Sequence, residues 1–259
     1  MDYKEEARKV RIQILKMIHE AQTSHIASNF SAVDIAVVLY NNLKEGDEVV
    51  WSAGWKAALI YTMLAKQGKI PVEDLDKFGK EIDGKIPYLG LAETSTPGVH
   101  VSSGSMGHGL PVALGMALAK KRSGEEGIIY CVMSDGEMNE GTTWESAMLA
   151  AHHKLDNLIV IIDKNKWQAM GTTRDVVNLD PLGERWVGFG WDVLQASGHD
   201  YVAIDSFITS RESLFERSTV IIFDTIKGAG VSFFENHLLY HYKHVEKDEY
   251  ERALKELQI

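Results

Sequence analysis

The chain is short of cysteine, of proline and of positive charge. One of its 259 residues is Cys and five are Pro, and 27 Lys and Arg face 37 Asp and Glu. The single Cys131 excludes an intrachain disulfide, and its place inside an apolar run fits a reducing cytoplasm. A formal net charge of −10 argues against nucleic acid or an anionic membrane as the main partner. No apolar run approaches the roughly 18–20 residues that a membrane span needs. The opening segment, with Asp2, Lys4, Glu5, Glu6, Arg8 and Lys9, is too charged for a signal peptide. A Gly-Lys-Ser/Thr phosphate loop is missing. So is the dinucleotide fingerprint G-x-G-x-x-G: Gly104, Gly107 and Gly109 run in the reverse order, and position 112 is Val.

What is present is an ordinary globular composition, 45% hydrophobic and 25% charged, on a chain long enough to bury a substantial core. Apolar residues at helical spacing, among them Val10, Ile14 and Ile18, mark a helix over 4–21, and a second helix starts from Ser31, read as its N-cap. A strand over 48–52 and a helix over 56–66 follow, and 71–78 has the acidic start of a helix. Residues 79–103, with Gly79, Gly84, Pro87, Gly90, Pro97 and Gly98, form the least regular stretch, and loops of that length are more often functional than inert. From Gly104 onward, helices over 107–121, 142–153 and 200–209 alternate with strands over 128–134, 158–163, 191–196 and 219–225. A charged helix follows from Lys247. This alternation predicts an α/β fold, a mainly parallel sheet with helices on both faces, whose ligands bind beyond the carboxyl ends of the strands.

Two residues stand at those ends. Asp135, in Ser134-Asp135-Gly136, follows one strongly apolar run, and Asn165, thirty residues on in Asp163-Lys164-Asn165, follows the next. A carboxylate and an amide carbonyl are hard oxygen donors suited to Mg²⁺, which prefers octahedral oxygen coordination and shares its site with phosphates. The other reading is that Asp-Gly and Asp-Lys-Asn are turn residues, as these types commonly are. Upstream, residues 102–110 form a glycine-rich loop running into a helix, whose free N–H groups offer an anion site or simply allow close packing.

The segment Ser134-Asp135-Gly136-Glu137-Met138-Asn139-Glu140-Gly141, followed by Asp163-Lys164-Asn165, resembles the Gly-Asp-Gly … Asn thiamine diphosphate motif of transketolases. The stretch from Pro97 to Ala117, containing Ser102-Ser103-Gly104-Ser105-Met106-Gly107-His108-Gly109, is similar to the segment that precedes the motif in that family, and 226–236 resembles a segment that follows it. The resemblance runs through nearly the whole chain, in order. It implies a single diphosphate-binding domain over 1–259, without the pyrimidine-binding and C-terminal domains, and hence the N-terminal subunit of a split transketolase. The partner is then a C-terminal subunit that completes the cofactor site, in an α₂β₂ heterotetramer acting on sugar phosphates in the cytoplasm, as in the pentose phosphate pathway. The implied cofactors are thiamine diphosphate and Mg²⁺, with Ca²⁺ or Mn²⁺ as substitutes.

Residue by residue, the resemblance implies Asp135, Asn165 and the backbone carbonyl of Trp167 as metal ligands. Gly136 would lie against the diphosphate, with Gly104, Met106, Gly107, Glu137 and Trp55 completing the cofactor-binding set. His25 and His241 match family histidines of the catalytic centre. Glu140 and Glu145 match glutamates that meet the partner's cofactor-activating Glu; as residues alone they also read as helix-start carboxylates favoured by the helix dipole. The sequence departs from the family pattern where Trp55 replaces a histidine, where Pro87-Tyr88-Leu89-Gly90 replaces a Gly-His-Pro loop, where Ser134 replaces a Gly, and where Tyr242 replaces another Gly. Tryptophan donates one N–H and accepts nothing, so Trp55 cannot do the acid–base work of the lost histidine. The expected activity is two-carbon ketol transfer. The alternatives are a thiamine diphosphate enzyme acting on another ketol donor or a 2-oxo acid, and a non-catalytic cofactor-binding subunit.

Overall fold

The computed structural model describes residues 1–104, 106–210 and 217–258, so Ser105 of the glycine-rich loop lies outside the described residues. Five strands, β1 (Glu48–Trp51), β2 (Ile129–Ser134), β3 (Leu158–Lys164), β4 (Asp192–Ser197) and β5 (Thr219–Asp224), pair in the order β1-β2-β3-β5-β4. Every pairing is parallel. Around them lie α1 (Tyr3–Ala21), α2 (Ile26–Ser31), α3 (Val33–Asn41), α4 (Ala57–Lys66), α5 (Gly109–Ser123), α6 (Gly141–His152), α7 (Thr173–Val177), α8 (Leu182–Gly188), α9 (Tyr201–Thr209) and α10 (Lys247–Leu257).

Strand side chains alternate between two cores. Tyr130, Val132, Ile159, Ile161, Ile221 and Phe223 pack under α1, α3, α4, α9 and α10. Ile129, Cys131, Met133, Val160, Ile162, Val220 and Ile222 meet α5, α6 and α8 on the other face, with Trp186 fully buried there. Both faces are thus covered, which is why the strands read as unbroken apolar runs. Among the described residues no helix is long and apolar enough to cross a membrane.

The expected strands and long helices appear within one or two residues of their predicted bounds. Three features differ. Ser31 is not an N-cap but the last residue of α2, a short helix absent from the periodicity, and its hydroxyl is buried and donates to Ser28 O and Asp163 Oδ2. The acidic segment after Pro71 makes only a 3₁₀ turn, Val72–Lys77. The helices α7 and α8 fill what reads as loop in the sequence. They are five and seven residues long, too short to show a hydrophobic period.

Candidate functional site

Because the strands run parallel, the residues just past β1, β2, β3 and β5 share one edge of the sheet. Ser52 follows β1, Asp135 follows β2, Asn165 follows β3, and Thr225 and Lys227 follow β5. At their centre lies Asp163, with its side chain fully buried. Its Oδ2 accepts from Ser31 Oγ (2.6 Å), Lys56 Nζ (2.7 Å) and Asn165 Nδ2 (3.0 Å), and its Oδ1 accepts from Thr225 Oγ1. Burial alone would raise this carboxyl, but the Lys56 charge and the Ser31 and Thr225 donors hold it below the usual carboxylate range. Lys56, the residue before α4, is itself fully buried and also donates to Ser28 O and Ser31 Oγ.

Asp135 differs from its neighbour in having no cation beside it. It is buried, and accepts only from backbone: Gly136 N to Oδ1 (3.0 Å) and Lys166 N to Oδ2 (2.7 Å). Burial, and then the Asp163 charge, push its carboxyl up to about 7 against those two N–H donors. Asn165 is anchored through its amide nitrogen to Asp163, which turns Oδ1 to the other side, where it accepts from Trp167 N at 3.1 Å. The Lys166 contact brings Asp135 and the Asn165 loop together, with Lys166 itself at φ +69. An under-compensated buried carboxylate beside a fixed amide oxygen is a donor set that a divalent cation fits. Among the described residues no group of three His, Cys, Asp or Glu is arranged to hold a metal. A metal here must therefore draw on backbone and ligand oxygens, as the Trp167 carbonyl and a diphosphate would supply.

The glycine loop is pinned from below. Glu137 is fully buried, and its carboxylate accepts from Gly107 N (2.7 Å), Ser134 N (3.4 Å) and Ser52 Oγ. Burial pushes this carboxyl up to about 7 despite those donors. Sequence reasoning groups Glu137 with the cofactor contacts; its geometry instead ties three strand-end segments together. Gly107 (φ +76) lies so close to α6 that an added Cβ would sit 2.7 Å from both Glu140 Cβ and Thr142 Oγ1. Gly104 (φ +58) has open space on its side-chain side, and Met106 is half-buried. Gly136 presses on Gln168, whose Cγ lies 2.9 Å from an ideal Cβ. Glu140 is half-buried and Glu145 is exposed on α6, so the latter points away from the buried cluster.

His25 and His241 meet edge to face, with ring centroids 4.8 Å apart. His25 sits at φ +71 before α2, and its Nδ1 is buried without a partner. Burial, with the nearby Lys227 and Lys56 charges, pushes His25 down to about 4, and burial and Lys227 push His241 down to about 3. Both rings are therefore neutral at working pH. Trp55 is half-buried, and its carbonyl accepts from Asn29 Nδ2 at 3.4 Å. Leu89 is also half-buried, beside Tyr88, which packs on Tyr61 and donates to Asp74. Tyr242 is exposed and donates to Ala169 O.

Cavities elsewhere do not compete with this edge. A cavity of about 20 Å³ beside Asp135 and Asp180 has room for roughly one water. A groove of about 530 Å³ lies at the amino end of β1, among Lys44, Lys69 and His100. It contains none of the residues above. Sequence reasoning misses Lys56, Asp163 and Lys227. The one signal for the lysines is a charged residue inside an otherwise apolar stretch.

Comparison with known proteins matches residues 3–258 to the family described as transketolase, thiamine diphosphate binding domain. One of the two subunits of the apulose-4-phosphate transketolase of Actinobacillus succinogenes is 41% identical over 245 residues, covering 90% of this chain and 87% of the relative. The 6-deoxy-6-sulfo-D-fructose transketolase subunit SqwG of a Clostridium species is 31% identical, covering 100% of this chain and 97% of the relative. Among solved structures, transketolase from Campylobacter jejuni superposes with a TM-score of 0.91 at 28% identity. That likeness covers 99% of this chain but only 43% of the Campylobacter chain.

Proposed function

The chain belongs to the transketolase family, as its thiamine diphosphate binding domain, and on that footing we propose that it is one subunit of a two-chain transketolase. With its partner it moves a two-carbon ketol unit from a ketose to an aldose. The observation that supports this best is Asp135: a buried carboxylate with no protein cation, beside the oriented amide of Asn165, at adjacent strand ends. Asp135, Asn165 and the Trp167 carbonyl would hold Mg²⁺, and Gly136 and the 104–107 loop would admit the diphosphate. Thiamine diphosphate, when bound, supplies a nucleophilic carbon and an electron sink. The protein's own work is to fix that group, to neutralise its charge and to present polar atoms to the sugar. His25 and His241 face the sugar oxygens, and Glu140 and Glu145 lie toward the partner.

The two relatives named as subunits are of nearly this chain's length, which supports a partner chain that supplies the pyrimidine-binding half, in an α₂β₂ assembly. The buried Cys131 thiol, pushed up by burial, suits a reducing cytoplasm. A second reading concerns the sugar. Trp55 and Leu89 stand where the family pattern carries histidines, and these relatives are named for apulose-4-phosphate and 6-deoxy-6-sulfo-D-fructose. A branched or modified ketose phosphate is thus as good a donor candidate as a sugar of the pentose phosphate pathway.

The test is product analysis on the chain purified with its partner, supplied with thiamine diphosphate, Mg²⁺ and either sugar phosphates or 2-oxo acids. Ketol transfer between sugars, only with both chains present, is expected. Turnover of 2-oxo acids alone, or ketol transfer by this chain by itself, contradicts the proposal.

A further inference from the structure

The loop after β5 carries a second buried lysine that holds no carboxylate. Lys227 is 1% exposed, and its Nζ lies 2.7 Å from His241 Nδ1. We propose that Lys227 is a positioning residue that locks His241 in one neutral tautomer, with Nδ1 accepting and the proton on Nε2. The ring then meets a sugar oxygen as a hydrogen-bond donor and not as a base.

The argument starts from what each group can do. An ammonium has three donors and no acceptor, so a short contact to a ring nitrogen requires that nitrogen to be unprotonated. A neutral imidazole has one proton, which must then sit on Nε2. Burial and the Lys227 charge push His241 down to about 3, while burial and Lys56 bring Lys227 only to about 8. At neutral pH the pair is an ammonium and a neutral ring.

The lysine is not free to choose another partner, because its backbone is held on three sides. Gly228 N donates to Ala27 O (2.9 Å), Asn236 N donates to Lys227 O (2.8 Å), and Ile226 N donates to His199 Nε2 (2.9 Å). His199 Nδ1 in turn meets Asp34 Oδ2 at 2.7 Å, and Asp34 is paired with Arg11. Gly228 sits at φ +83, with Phe234 O 2.5 Å from an ideal Cβ, so the turn is confined to glycine. The other edge of the contact is His25, whose ring packs against His241 and whose buried Nδ1 is unpartnered. The two histidines therefore differ in kind: His241 arrives as a donor, and His25 keeps an unsatisfied nitrogen for the ligand.

That His241 faces a sugar rests on the proposed function, but its tautomer does not, so the decisive measurement uses the ligand-free full chain. Long-range ¹H–¹⁵N correlation on ¹⁵N-histidine-labelled protein, with the His241 signals assigned through His241→Gln, should show a single tautomer protonated at Nε2. Lys227→Met should leave His241 as a mixture of tautomers, and Lys227→Arg, which keeps a cationic donor, should restore the Nε2–H form. An Nδ1–H tautomer in the wild-type chain, or an unchanged spectrum in a folded Lys227→Met, overturns the proposal. If Lys227→Met does not fold, the wild-type spectrum alone decides. A fixed Nε2–H tautomer in a complex that lacks ketol transfer would separate failure of the functional reading from failure of this one.

Discussion

At the ends of β2 and β3 four donors converge on Asp163, and a lysine with no exposed surface neutralises it. At His25 and His241, two neutral rings touch each other, one ring nitrogen is orphaned, and the neighbouring Trp55 and Leu89 are only half-buried. The metal end of the cleft is thus built in advance, rigid and over-determined, whereas the sugar-facing end is loosely satisfied and leaves polar atoms for a ligand. The difference teaches which half of the chemistry resides in this chain. Charge neutralisation of a diphosphate needs fixed oxygens, and these are present. Recognition of a sugar needs contacts from all sides, and the unsatisfied atoms face where those contacts would come from.

The largest expected effect breaks the metal end. Asp135→Ala should weaken Mg²⁺-dependent thiamine diphosphate binding in the two-chain complex by about 100-fold or more, measured by calorimetric titration. Asp135→Asn, isosteric and uncharged, should leave the ligand-free chain at least as stable in urea, because it removes an under-compensated buried charge. Retained tight binding in Asp135→Ala would remove the contrast between the two ends.

Next is Lys56→Met, which leaves Asp163 buried without its cation. Urea unfolding should show a loss of about 3–5 kcal/mol, the usual cost of breaking one side of a fully buried pair. A loss below about 1 kcal/mol would mean that Ser31, Thr225 and Asn165 suffice, and that the metal end is less dependent on charge than its geometry suggests.

A third change sharpens the sugar-facing end. Trp55→His should raise kcat/KM for an unbranched ketose phosphate by about tenfold, below the 10²–10⁴ of a well-placed acid–base group. A drop instead would show that the indole itself recognises the donor sugar.

The smallest effect is a slope. His25 and His241 titrate near 4 and 3 when folded, below the roughly 6.5 of an unfolded histidine. The unfolded chain therefore takes up protons first as pH falls, and stability is lost from about pH 6.5 downward. His241→Gln should flatten this loss between pH 6.5 and 4 by at most about 1.4 kcal/mol per pH unit, less after solvent screening, in urea unfolding at stepped pH. An unchanged slope would place His241 outside the buried pair.

Much of this is legible in the chain, for reasons that differ by residue. Strands β2, β3 and β5 are apolar on both faces, so their runs and the turn residues after them can be read directly, and Asp135 and Asn165 with them. Lys56, Asp163 and Lys227 cannot be read, because a buried charge is explained only by partners distant in sequence: Lys56 and Asp163 are 107 residues apart. Ser31 reads as a cap because serine is common there, yet tertiary contact with Asp163 claims its hydroxyl. Motif position alone puts Glu137 beside the cofactor, and its bonds to Gly107, Ser134 and Ser52 give it a supporting task. The irregular 79–103 stretch is recognisable as a loop, but its packing of Tyr88 on Tyr61 has no sequence signal.

The most direct test of the central claim is a thiamine diphosphate titration of the two-chain complex, run once with Mg²⁺ and once with EDTA, followed by calorimetry. Saturable binding with Mg²⁺ that weakens by about 100-fold or more in EDTA is the result predicted from a cleft whose Asp135 lacks a protein cation. Equal affinity in the two conditions would contradict it, and would mean that the lysines alone carry the diphosphate.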